Sequence, residues 1–157
     1  MPREKAVQAL LATLHETLAA FDQAPEVLER SYASGKWTLR ELLVHLSDCE
    51  GVYTDRLRRL AAEDNPTLMA FDENRWASRL FYKTRDLGLA KLQFETARRS
   101  NIELARQLDD SVDARSGTHS EAGTRTFAQI LTMAASHNEH HLEQIRAIVA
   151  GRTWTKK

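Results

Sequence analysis

Apolar and polar positions recur along most of this chain with the period of an α-helix. Residues 3–22 put Leu10, Leu14 and Phe21 on one stripe, with Leu11 and Leu18 beside it and Glu4, Gln8, Thr13 and Glu16 around them. That pattern predicts an amphipathic helix, closed before Pro25. Residues 23–37 read as a connector with a short turn at 25–30, and Gly35 breaks the chain before the next helix. Thr38 and Glu41 have the spacing of a capping box, flanked by Trp37 and Leu42 as a hydrophobic staple, so a second helix starts there. Leu39, Leu42, Leu46, Cys49, Tyr53, Leu57 and Leu60 form its inward stripe, which runs to about Glu63.

Asn65-Pro66 marks a turn. The following stretch, Leu68 to Tyr82, carries Phe71, Trp76, Phe81 and Tyr82, and Asp72 is placed to cap a short helix reaching Leu80. It reads equally as a cover over one end of the core or as a lid whose aromatics line a pocket. Asp86 caps a third long helix to about Leu108, with Leu89, Leu92, Ala97, Ile102, Ala105 and Leu108 expected to face inward. Arg98-Arg99, like Arg58-Arg59, reads as a solvated face. Residues 109–124, with Ser116-Gly117-Thr118-His119 and Gly123, read as a polar loop. Thr126 and Gln129 form a second capping box, opening a last helix to about Val149; Gly151 ends it, and Trp154 lies in the tail. The sum is four long helices, no strand and no repeat: an all-α four-helix bundle with short extra helical segments, one domain over residues 1–157.

Composition narrows the function. The 22 basic and 22 acidic side chains balance, which removes the electrostatic reason to expect nucleic acid or an anionic membrane as partner. A single cysteine, Cys49, excludes an intrachain disulfide and fits a reducing compartment. No apolar run approaches the roughly 20 residues of a membrane-spanning helix. The first residues lead into an amphipathic stretch, not the apolar core of a signal peptide, so a cytoplasmic location is expected.

The chemistry concentrates in residues 134–145, which hold His137, His140 and His141. His137 and His141 lie about 40° apart and one turn displaced on a helix, on the stripe of Phe127, Ile130, Ala134, Ile145 and Ile148. Two inward imidazoles so spaced read as a metal-binding pair awaiting a ligand from another helix. His45, three residues after Leu42 and four before Cys49, faces inward on the second helix. The protease pattern H-E-x-x-H needs glutamate where Asn138 stands, and Glu139 is turned about 200° from His137. Di-iron bundles need glutamate three residues before a histidine, and none of the six histidines has one. What remains is His45, His137 and His141, a set that suits Zn²⁺, Ni²⁺ or Fe²⁺, with Mn²⁺ a further candidate, and leaves a coordination position open. Asp48, Glu143 and Gln144 are possible acceptors for imidazole N–H groups, although both acids read first as solvated. Cys49 on its leucine stripe reads as core. His140 is expected at the helix flank and His15 as structural or exposed, while His119, on its loop, reads as exposed or as reaching over a site.

The stretch Trp37-Thr38-Leu39-Arg40-Glu41-Leu42-Leu43-Val44-His45-Leu46-Ser47-Asp48 has the form W-T-x-x-E-x-x-x-H-L-x-D. Some ninety residues later, His137 to Ile145 has the form H-x-x-x-H-L-x-Q-I. The two in this order resemble the DinB-like (YfiT-like) superfamily of metal-dependent hydrolases, over nearly the whole chain. The resemblance implies a four-helix bundle and a divalent metal held by His45, His137 and His141. It also implies a small-molecule substrate and a homodimer. Because similar proteins include bacillithiol S-transferases and mycothiol-dependent maleylpyruvate isomerases, it implies a low-molecular-weight thiol as co-substrate, with hydrolysis as the next expectation. The competing expectation is a non-catalytic metal-binding or interaction bundle, in which a side chain such as Asp48 or Cys49 closes the fourth position.

Overall fold

A computed structural model describes residues 2–155. Six α-helices, α1 (Pro2–Ala20), α2 (Pro25–Leu28), α3 (Leu39–Ala62), α4 (Glu73–Arg79), α5 (Leu87–Gln107) and α6 (Phe127–Val149), carry most of the chain. The four long ones form the bundle. α1 packs on α5 and α6, and α3 packs on the same two. Consecutive long helices α1 and α3 therefore face each other across one diagonal, α5 and α6 across the other. Among the described residues no helix is long and apolar enough to cross a membrane.

The helix starts follow from local chemistry. Thr38 and Glu41 make both halves of a capping box at α3, as do Thr126 and Gln129 at α6. Asp72 and Asp86 accept from Arg75 N and Leu89 N at the starts of α4 and α5, each at 2.9 Å. These caps fix the rotational phase at which α3 and α6 enter the bundle, and with it the direction of His45, His137 and His141.

Three expectations fail. Residues 109–124 are not a loop. A 3₁₀ turn, Asp110–Ala114, leads into strands β2 (Ser116–His119) and β3 (Gly123–Thr126), which pair antiparallel, and β1 (Thr67–Leu68) adds parallel to β2. The inward positions of β2 are Gly117 and His119, so the strand has no apolar alternation to betray it. Gly117 is required there, because a Cβ would meet the Pro66 carbonyl oxygen at 2.5 Å. On α5, Leu89 and Leu92 face solvent at 67% and 61% exposure, and Ala97 and Leu108 are only half-buried. The buried face runs Ala90, Phe94, Arg98, Asn101, Ile102 and Ala105. It carries two polar residues, and a stripe drawn by hydrophobicity alone rotates away from them.

Arg98 is thus core and not solvated face, at 1% exposure. Its Nη2 donates to Glu50 Oε2 and to Asn138 Oδ1, both at 2.6 Å, and its Nη1 donates to the Leu10 carbonyl at 3.2 Å. Asn101 Nδ2 donates to the other Glu50 oxygen, and Asn138 Nδ2 to Thr17 Oγ1. This polar layer divides the core into two apolar clusters, with Leu10, Cys49, Ile102 and Ala135 in one and Leu14, Leu46, Phe94 and Leu142 in the other.

Replacing only one partner of a buried pair strands the other charge, at a cost of about 3–5 kcal/mol. Arg98→Met is expected to lower stability by that order in urea denaturation, and Arg98→Met with Glu50→Leu to recover part of the loss.

Candidate metal centre

His45 comes from the second turn of α3, and His137 and His141 from successive turns of α6. His45 is fully buried, His141 nearly so and His137 partly. The Nε2 atom of His137 lies 3.2 Å from Nε2 of His45 and 3.2 Å from Nε2 of His141. Nδ1 of His141 stands 2.7 Å from Gln144 Oε1, a contact that needs the proton on Nδ1 and leaves Nε2 as a bare lone pair. One proton on His137 can satisfy only one of its two neighbours. Three convergent imidazole nitrogens with too few protons between them fit a shared cation. Metal–nitrogen bonds of about 2.0–2.1 Å would hold ligand nitrogens about 3.0 Å apart in octahedral and about 3.4 Å apart in tetrahedral geometry. The observed 3.2 Å lies between.

The surroundings hold the rings in place. Trp37 packs on His45 with centroids 4.9 Å apart, and Cys49 Sγ lies 3.4 Å from His45 Nε2. Burial first, and the neighbouring imidazoles after it, push His45 down to about 2 and His137 to about 3. Burial pushes His141 to about 4 against the opposing hydrogen bond of Gln144. All three are therefore neutral rings at neutral pH. Burial pushes the Cys49 thiol well above its ordinary range, reinforced by Glu73, Asp48 and Glu50.

Among the described residues, the group of metal-binding side chains here is His45, His137 and His141 alone. Asp48 is turned elsewhere: its carboxylate accepts from Tyr82 Oη at 2.8 Å and from Arg85 Nη1 at 3.0 Å. Gln144 is the orienting acceptor and Glu143 is not; Trp154 Nε1 donates to Glu143. His140 sits at the flank, edge-on to Trp154, and His15 is exposed. His119 is buried at the end of β2, where Nδ1 accepts from the backbone N–H groups of Glu121 and Ala122.

His137 borders a cavity of about 250 Å³ lined also by Cys49, Tyr53, Arg56, Phe71, Glu73 and His119, among others, and His141 borders a second of about 260 Å³ with Trp37, Glu73 and Gln144. The 68–82 segment therefore does both things expected of it. Ala77 and Tyr82 are core, while Phe71, stacked on Trp76 at 4.4 Å, and Glu73 form a wall. Arg56 and Glu73 went unremarked in the sequence. The signal for Arg56 was its phase, seven residues after Cys49 on α3; nothing local marks Glu73.

A family model described as the DinB superfamily matches residues 9–145. The chain belongs to the DinB superfamily. Its relatives include a "Putative metal-dependent hydrolase" of Oceanobacillus iheyensis, 29% identical over 129 residues, which are 82% of this chain and 74% of that one. Another of the same name, from Bacillus cereus, is 27% identical over 139 residues, 88% and 79% of the two chains. Among solved structures, YfiT from Bacillus subtilis, "a probable metal-dependent hydrolase with an unusual four-helix bundle topology", aligns with a TM-score of 0.86. It is 22% identical and covers 96% of this chain and 89% of its own. The resemblance read from the two histidine motifs is thereby confirmed, and so is the bundle.

The depressed imidazoles make an acid-stability prediction. Below about pH 6.5 the unfolded chain takes up protons on these histidines, while the folded protein refuses them until about pH 4 or lower. The unfolded state then binds more protons, so stability falls as pH falls. Each histidine contributes at most about 1.4 kcal/mol per pH unit. The urea midpoint of metal-free protein should drop steadily from pH 7 to pH 5; a level profile would count against three neutral buried rings.

Proposed function

We propose that the chain is a metal-dependent enzyme in which His45, His137 and His141 hold one divalent ion, and which joins a low-molecular-weight thiol to a small electrophile. The observation that carries this reading is the three-nitrogen cluster bordering a cavity at His137, with no further metal-binding side chain grouped with it among the described residues. An ion so held supplies Lewis acidity, which lowers the pKa of whatever thiol or water binds there.

The chain's own residues supply the rest. Glu73 stands at the wall of the cavity, its carboxyl raised by partial burial and by Asp72 against the opposing effect of His140. Of the two carboxylates that line the cavity, Glu73 and Glu121, it is the one with the raised carboxyl, suited to take the proton of the nucleophile. As the sulfur–carbon bond forms, the bond to the leaving group breaks, and that group departs with the electron pair. Tyr53, Phe71 and Met133 line the same cavity and would exclude water from an apolar electrophile. Water in place of the thiol turns the same layout into a hydrolase, the reading that the names of the relatives favour.

Elemental analysis of untagged protein should find one divalent ion per chain, zinc, nickel, iron or manganese, and none in His45→Ala or His137→Ala. Conjugation of a thiol with an alkyl halide should fall by at least about 100-fold in His137→Ala, with the helical circular dichroism retained. Undiminished activity in that variant would end the proposal.

A further inference from the structure

Arg56 is the buried charged side chain of the cavity, and no ion pair answers it. It is 6% exposed. Its Nη2 donates to the Met69 carbonyl at 2.6 Å, and its Nε is buried with no partner. Among the described residues no carboxylate comes within ion-pair distance of it, although Glu73 and Glu121 line the same cavity. The other buried guanidiniums are answered, Arg98 by Glu50 at 2.6 Å and Arg3 by Asp110 at 2.7 Å. A desolvated cation without a counter-charge is disfavoured unless something answers it, and a guanidinium is shaped to receive a planar or tetrahedral oxyanion.

His119 stands on the same cavity. Two backbone N–H groups occupy its Nδ1, so the neutral ring carries its proton on Nε2, a second donor. Arg56 lies seven residues beyond Cys49 along α3, a rise of about 10 Å, and Cys49 touches His45. Arg56 and His137, one of the three clustered histidines, thus line one space.

We propose that this cavity takes an acidic substrate, one whose carboxylate or phosphate is held by Arg56 and His119 while its reacting end lies at the three histidines. The inference rests on the enzymatic reading for that second end. The oxyanion site itself is built from side chains that are not metal ligands, so it can be tested in metal-free protein.

Isothermal titration of metal-free and Zn²⁺-loaded protein with succinate, inorganic phosphate and, as neutral control, succinamide separates the cases. Succinate or phosphate is expected to bind metal-free wild type, the tighter one identifying the group; succinamide is not. Arg56→Met should weaken the anion at least tenfold, and Arg56→Lys should fall between. In metal-free wild type, ¹H–¹⁵N spectra should show the anion shifting the Arg56 Nε–H and His119 signals, a readout independent of how the variants fold. Binding only to the Zn²⁺-loaded form, equal affinity in Arg56→Met, or shifts that bypass Arg56 would each overturn the assignment. Failure of the enzymatic reading appears instead as protein that takes up no metal, whatever the anion does.

Discussion

The contact on which the bundle depends is the buried hydrogen-bonded pair of Arg98 and Glu50 with Asn138. It joins α5 to α3 and α6, and through the Leu10 carbonyl and Thr17 it reaches α1. A buried ion pair is a poor source of stability, because desolvating both charges consumes much of their attraction. It is a strong source of register, because any slip of one helix leaves a charge or an amide unpaired. Asn138 is adjacent in sequence to His137, so the register that satisfies Arg98 also aims the His137 ring. The position where a metalloprotease would carry its catalytic glutamate serves here as a structural acceptor.

Much of this was legible in the sequence, and what was legible is local. Capping boxes at Thr38 and Thr126 need four residues each, and the His137/His141 pair needs five. With the phase of α3 fixed at its cap, His45 could be placed inward before any contact was known. The illegible parts depend on partners far away in the chain. Arg98 looks like a surface residue until Glu50 is beside it. Strand β2 shows no pattern because its inward residues are glycine and histidine, held by Pro66 and by the turn at residues 121–122. The cavity exists only because the 68–82 segment and the hairpin meet over α3, and no window of sequence contains both.

The cavity walls divide by origin. The long helices contribute Cys49, Tyr53, Arg56 and His137, whose positions follow from packing. The connections contribute Phe71, Glu73 and His119, whose positions follow from short caps and a three-stranded sheet. Rigid helices thus hold the proposed ligands while shorter elements set what fits beside them, the usual division between scaffold and specificity.

The diagonal placement of consecutive helices has a consequence for how the chain is tied together. His45 and His137 are 92 residues apart in sequence. Any group that bridges them closes a loop containing more than half of the protein, as a cross-link would. In the chain-entropy model, a closure of that size removes about 4–5 kcal/mol of freedom from the unfolded ensemble. Occupancy of the histidine cluster would then do more than prepare a reaction. It would act as the bundle's fastener, spanning the one pair of neighbouring helices that carries the ligands.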